Sequence, residues 1–349
     1  LGAECCLACL GSLWTLWIWK FQRDDIVGSL NIEEDQTLTQ ELLSLVGHEQ
    51  QWPKGDEVDA PNEHLWSQWL ACRRPNLHAV LRENRSRTAV RAVHVKVMEW
   101  LVRHHHDHPR LPELKASVSA RLLRLGLIKH GAQWSEVLNE EVRSVPVMDP
   151  VKETIPWEGV SNALRWLEGN FTDVVFPAFR HAVETSRFRE HPEGIHLTGW
   201  WETAYISESS KCRVKVFPKM CKLLQAIEVA WPKRRHEEAV LESRFARLHP
   251  GTFVVEHTAD TNQRIKIHCG IENPSNVTMA IAEMELSWKE GRCYLVDDSY
   301  AHQIRSDSDS DAIRTILELK VIHPDLAWAD MLDEDGTLIP QFQEVKNEF

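Results

Sequence analysis

At 349 residues the chain is longer than one hydrophobic core usually serves, so two domains are expected. Its composition, 43% hydrophobic and 26% charged, excludes a disordered or collagen-like polymer, and eight cysteines over this length exclude a disulfide-dense scaffold. A formal net charge of −12 argues against a nucleic-acid partner, because gripping phosphates takes a concentrated basic face.

Residues 1–19, LGAECCLACLGSLWTLWIW, carry Glu4 as their only charge and are followed by Lys20 and Arg23, a stretch long enough to span a bilayer. Trp14, Trp17 and Trp19 near one end suit a membrane interface, whereas Glu4 and the small polar positions suit an amphipathic or buried helix. The first reading is preferred: residues 1–24 as an anchor or signal segment, membrane association through residues 1–19, and the endoplasmic reticulum or another membrane-associated compartment rather than the cytoplasm. Residues 25–150 read as an α-helical domain, with apolar positions such as Val95, Met98, Leu101 and Val102 at helical spacing. Breaker clusters at residues 52–55, 61–62 and 109–112 divide it into several helices. The histidine run at residues 104–108 ends at Pro109 and reads as a helix end, where imidazoles meet the dipole, rather than as a metal site.

Residues 145–150 with Pro156 read as the linker into a second domain, residues 151–349. One helical stretch, residues 159–185, opens it, and short alternating segments bounded by Gly, Pro, Asn and Asp follow. That pattern favours a sandwich or jelly roll over a parallel sheet with crossover helices, so the chain is expected to be α+β. Cys212 and Cys221 lie close together in a polar stretch around Pro218, as a local disulfide in an oxidising compartment or as two free thiols.

Chemistry concentrates in two places. In residues 249–271, Phe253 to Val255 read as a strand and Thr258 to Asn262 as a loop, which leaves His257 at a strand end. The next strand alternates: Ile265, Ile267, Cys269 and Ile271 face a core, and Arg264, Lys266 and His268 share the other face. Three basic side chains on one face repel each other, which makes sense where that face lines an anion pocket; the other reading is a solvated outer face. In residues 291–323, Cys293 to Val296 form a strand, Asp297 to Ser299 turn the chain, and His302 follows; Arg314 then sits near the start of a strand spanning residues 313–321. Two imidazoles can hold a ferrous ion at the mouth of a jelly roll and leave positions open, while a deeper guanidinium takes a carboxylate in a bidentate pair.

The stretch HPGTFVVEHTADTNQRIKIH (residues 249–268) resembles the aspartyl/asparaginyl β-hydroxylase signature HPGxxxxxHxGxTNxRxRxH. WKEGRCYLVDDSYAH (288–302) is similar to that family's WxEGxxxxFDDSFxH, and IRTILELKVIHPDL (313–326) to its FRxxxxxDxxHPxL. The resemblance implies a cupin-like double-stranded β-helix that uses Fe(II), 2-oxoglutarate and O2 to hydroxylate the β-carbon of aspartyl or asparaginyl residues in a peptide or protein. It implies His257 and His302 as iron ligands, Arg314, Lys266, His268 and Trp201 (in preference to Trp200) as 2-oxoglutarate contacts, Arg264 for the substrate carboxylate, and a Cys212–Cys221 disulfide. Ala246 stands where the family has serine, Lys266 where it has arginine, and the loop before Arg314 is two residues longer. Neither Ala259 nor the family's glycine there supplies a third, carboxylate ligand, which leaves Asp260 as the less favoured candidate. The alternatives are a non-catalytic metal- or ligand-binding module on the same fold, or an oxygenase acting on a small molecule or lipid. The substrate's identity, the oligomeric state and the helical half's role are not encoded in these patterns.

Overall fold

The computed structural model describes residues 111–329, apart from 192–194, 234–237, 274–276 and 307–311, together with scattered positions between 91 and 109. The suggested anchor, most of the helical domain and most of the histidine run lie outside these residues. No helix among the described residues is long and apolar enough to cross a membrane. The chain divides into two compact units, Leu1–Leu127 and Ile128–Phe349. In the first, helix α1 (Leu111–Arg124) is described in full, and Arg91 donates to the carbonyl of Leu127 at 2.7 Å.

The second unit is a β-sandwich. Its strands, in chain order, are β1 (Val147–Met148), β2 (Arg189–Glu190), β3 (His196–Thr198), β4 (Trp201–Glu208), β5 (Lys211–Cys212), β6 (Val240–Leu248) and β7 (Phe253–His257). These are followed by β8 (Arg264–Glu272), β9 (Val277–Ile281), β10 (Met284–Leu286), β11 (Cys293–Val296), β12 (His302–Ser306) and β13 (Arg314–Ile322). One sheet runs β1-β11-β8-β13-β6-β4-β2, with β5 paired to β4, and the other runs β10-β9-β12-β7-β3. The pairings are antiparallel, and sequence neighbours such as β7 and β8 lie in opposite sheets. That is the jelly-roll, double-stranded β-helix expected from the alternating segments.

Alternation along each strand builds two cores. On β13, Leu317, Leu319 and Val321 pack outward with Ile265, Ile267 and Cys269 of β8 against the helices α2 (Glu158–Gly169), α3 (Phe176–Glu184) and α4 (Pro218–Ala230). The opposite faces, including Ile316, Ala246, Leu248 and Trp201, meet Met279, Ile281, Val254 and Ile304 of the smaller sheet. Functional residues on the inner faces are therefore held between two sheets, each made rigid by its ladder.

Four local expectations are revised. The helical stretch 159–185 is two helices separated by a π-turn, Phe171–Val175, with a proline in the first turn of the second. Cys221 lies in helix α4 rather than in a polar loop: Pro218 starts the helix, and Met220, Leu223, Leu224 and Ile227 form its buried stripe. Residues 128–150, read as the end of the helical domain and a linker, belong to the sandwich unit, because Val147 and Met148 pair with Val296 and Leu295 of β11. Residues 302–306, which show no strand signal of their own, form the central strand β12 of the smaller sheet.

Candidate functional site

His257 ends β7, His302 begins β12, and the two are direct partners in the ladder, so residues 45 positions apart in sequence stand side by side. Their ring centroids are 4.2 Å apart at 50°. Each ring is oriented by the backbone two residues before it: Nδ1 of His257 lies 2.8 Å from the carbonyl of Val255, and Nδ1 of His302 lies 2.8 Å from the carbonyl of Tyr300. A carbonyl only accepts, so both Nδ1 atoms carry the proton, and a ring that holds no second proton can offer a metal its Nε2 lone pair. Burial holds His302 well below the ordinary histidine range, and neighbouring His257 and Lys266 reinforce this, so the ring is neutral. Among the described residues no third His, Cys, Asp or Glu completes a cluster of three ligands. Asp260, the less favoured third ligand, instead ion-pairs with Arg264.

The segment before β1 is tied to the loops beside this pair. Ser135 Oγ donates to the carbonyl of Ala259 at 2.5 Å, Gln133 Nε2 to Ser299 Oγ at 3.0 Å, and Asn262 exchanges hydrogen bonds with the backbone of Asn139 at 2.8 and 3.0 Å. The loops that follow β7 and β11 are thereby fastened to one strap. Asp297 accepts from the amide of Ser299 at 3.1 Å and Asp298 pairs with Lys266 at 3.2 Å, so the turn carboxylates do not orient His302.

Arg314, Lys266, His268 and Trp201 lie on the larger sheet. Arg314 opens β13 opposite Leu248, is 2% exposed, and stacks its guanidinium over Trp288 at 4.0 Å from the ring centroid. Burial pushes it down to about 9, with Glu318 opposing, which leaves it cationic at neutral pH. Its Nε and one Nη, with the indole nitrogens of Trp288 and Trp201, are buried and have no hydrogen-bond partner among the described residues. Unpaired donors at such burial cost stability, and a carboxylate ligand is what this donor set fits. Trp201 is 7% exposed and stacked on His191 at 3.9 Å, whereas Trp200 is 44% exposed. Successive side chains at the start of β4 point to opposite faces, and just before them Gly199, with a positive φ of 78°, turns the chain where a Cβ would collide with Thr252.

Lys266 and His268 project from the same face of β8, yet neither meets a bare pocket. Lys266 lies 3.2 Å from Asp298 and 3.6 Å from Glu318, and His268 lies 3.5 Å from Glu318. Burial lowers His268; Glu318 resists this, and Lys266 and Arg314 add to it. Burial alone would keep Glu318 protonated, but Arg244, Lys266 and His268 hold it well below the carboxylate range. Sequence reasoning missed Trp288, Glu318 and Arg244. Trp288 stands in the quoted WKEG stretch, and Glu318 shares Arg314's face by simple alternation.

Ala246 is buried opposite Ile316 and Thr203. Cys212 and Cys221 are bonded, with Cα atoms 5.8 Å apart, and so are Cys269, expected only to face a core, and Cys293, expected only to begin a strand.

Residues 173–324 match the family model described as aspartyl/asparaginyl beta-hydroxylase. Aspartate beta-hydroxylase domain-containing protein 2 of Xenopus tropicalis is 34% identical over 203 residues, 55% of this chain and 52% of that protein. Its human namesake is 28% identical over 147 residues, 41% of this chain and 39% of that protein. Human aspartyl/asparaginyl beta-hydroxylase is 29% identical over 144 residues, 41% of this chain but 18% of that protein. The chain thus spans about half or less of the length of these curated relatives.

Proposed function

We propose, from the match of residues 173–324 to the aspartyl/asparaginyl β-hydroxylase family model, that this pocket binds Fe(II) and 2-oxoglutarate and that the protein hydroxylates the β-carbon of an aspartyl or asparaginyl residue in a peptide or protein. The observation that carries the reading is the His257–His302 pair, adjacent and with both Nδ1 atoms tied to carbonyls, the His302 ring neutral, across the sandwich from a buried guanidinium with unpaired donors.

The two imidazoles hold the metal through Nε2 and leave most of its coordination positions to other ligands. With 2-oxoglutarate and O2, the bound iron supplies the oxidising power needed to functionalise an unactivated C–H bond. Arg314 takes the distal carboxylate of the cosubstrate in a bidentate pair, its plane fixed by Trp288. The indoles of Trp288 and Trp201 contribute N–H donors and exclude water from the pocket wall. Lys266 and His268 flank the route between the histidines and Arg314. Arg264 lies nearer the surface and meets the substrate's carboxylate, for which it must first share or leave Asp260. The Cys212–Cys221 bond fits an oxidising compartment, in line with the membrane-associated location suggested by residues 1–19.

The test is to incubate the purified full chain with Fe(II), ascorbate, 2-oxoglutarate and a library of Asp- and Asn-containing peptides, and to read peptide mass and succinate. A gain of one oxygen together with succinate, both lost in His257→Ala and His302→Ala, is expected. A non-catalytic binding module is the second reading, favoured by Ala246 and by the carboxylates already on Lys266; metal and dicarboxylate binding without succinate across the library would select it.

A further inference from the structure

The strap that precedes β1, residues 130–144, lies outside the residues that match the family model, and it closes around the residue that orients His302. That residue is Tyr300, buried in the loop between β11 and β12, whose carbonyl lies 2.8 Å from Nδ1 of His302. Gln133 and Tyr300 form an antiparallel bridge, and the amide of Ala301 donates to the carbonyl of Ala132 at 2.6 Å. The phenol of Tyr300 donates to the carbonyl of Ser144 at 3.1 Å, and the ring of His130 packs against its ring with centroids 5.3 Å apart. Gln133, itself buried, donates through Nε2 to Ser144 Oγ at 2.8 Å within the strap and to Ser299 Oγ at 3.0 Å, on the residue before Tyr300. The signature of this stretch has phenylalanine where this chain has Tyr300, so the hydroxyl that reaches Ser144 is this chain's own addition. The carbonyl that orients His257 belongs instead to Val255, inside β7, whose amide pairs with the carbonyl of Ile195.

We propose that the strap is a clasp that orients His302 through Tyr300, with Gln133 and Tyr300 as its positioning residues. The inference rests on the reading of His257 and His302 as metal ligands. An imidazole offers a metal one direction, along the Nε2 lone pair, so whatever fixes its Nδ1–H···O bond fixes both the tautomer and that direction. The accepting carbonyl of Tyr300 lies in a loop, where a peptide plane can swing unless its neighbours hold it. Here the phenol on one side of that carbonyl and the Ala301 amide on the other are both anchored to the strap. Two residues far from the histidines in sequence thereby set the aim of one of them.

The test reads the ring and the metal rather than turnover. The full chain is labelled with heavy nitrogen in its histidines, and nitrogen chemical shifts of the metal-free protein report the tautomer of each ring; Mn(II) is then titrated in and followed by electron paramagnetic resonance. Wild type is expected to hold His302 as the Nδ1–H tautomer alone. In Tyr300→Phe, which removes one oxygen and restores the signature's residue, Mn(II) affinity should fall about fivefold, the worth of one neutral hydrogen bond. In Gln133→Leu it should fall about tenfold or more, the usual effect of losing an outer partner of a metal ligand. In both variants the Nε2–H tautomer of His302 should become populated while the signal of His257 stays in place. Ser207→Ala, which removes the 2.7 Å hydrogen bond to Ser243 within the larger sheet, controls for general destabilisation and should lower the melting temperature without moving either readout. His302 still in the single Nδ1–H tautomer, with unchanged Mn(II) affinity, in Tyr300→Phe and in any folded Gln133→Leu would overturn the clasp, whatever the melting temperatures. A shifted tautomer in the variants with no Mn(II) bound by wild type would uphold the clasp and overturn the metal reading of the pair.

Discussion

Arg314 derives its character from what surrounds it: an indole 4.0 Å below its plane, near-complete burial, and donors without partners. Lysine at this position would keep the charge and lose the planar fork. Arg314→Lys is therefore expected to weaken 2-oxoglutarate binding in the presence of Mn(II) by about tenfold or more, the value of a lost charge-assisted hydrogen bond, with little change in metal affinity. An equal loss of metal affinity, read by titration of Mn(II) alone, would mean that the residue supports the fold instead. Asp297 shows the opposite balance. Burial lifts its carboxyl from 3.8 to about 7, and nearby Asp298 adds to the effect, while Ser299 pulls the other way. Between those two values the folded state holds a proton that the unfolded state has released, so this residue's contribution to stability falls as pH rises through that window. Asp297→Asn keeps an acceptor for the Ser299 amide and cannot ionise. The difference in melting temperature, variant minus wild type, is expected to be more positive at about pH 8 than at about pH 5; a constant difference would refute the assigned ionisation.

At the scale of elements, the two disulfides fasten different pieces. Cys212–Cys221 ties β5 to α4 across a sequence separation of 9, and Cys269–Cys293 ties β8 to β11 at directly opposed ladder positions across a separation of 24. Loop-closure entropy favours the second: removal should cost about 3.5 kcal/mol there against about 2.5 kcal/mol for the first. Urea denaturation of the two Cys→Ala pairs is expected to rank them in that order, and the reverse order would show that chain entropy does not set the difference. The second bond also marks where sequence reading stopped. The alternation of β8 separates Ile265, Ile267 and Cys269 from Lys266 and His268, and the ends of β11 are visible as a short apolar run. His257 and His302 are legible as strand-end histidines within a known signature. Which strands lie side by side is not written in any local pattern, so the Cys269–Cys293 pairing and the Arg244–Glu318 contact stayed hidden. The break at Phe171–Val175 was missed for a related reason. The apolar stripe continues across a π-turn, and only the one-residue shift in its phase betrays the interruption.

At the scale of the whole sandwich, His257 and His302 belong to the five-stranded sheet and Arg314 to the eight-stranded one, so a ligand that satisfies both joins the two layers. The inner core between them is built from strands paired within each sheet but not across it, so in the middle of the sandwich the layers meet through side-chain packing. A ligand that binds only the closed arrangement stabilises it by mass action, about 2.7 kcal/mol at a hundredfold excess over its dissociation constant. For a unit of this size that corresponds to a rise of roughly 5–10 °C in the melting temperature. Mn(II) and 2-oxoglutarate together are expected to produce such a rise in the full chain by calorimetry, and each alone a smaller one. His257→Ala should abolish the part due to metal, and Arg314→Met the part due to the dicarboxylate. A full shift surviving in both variants would place the ligand outside the space between the sheets.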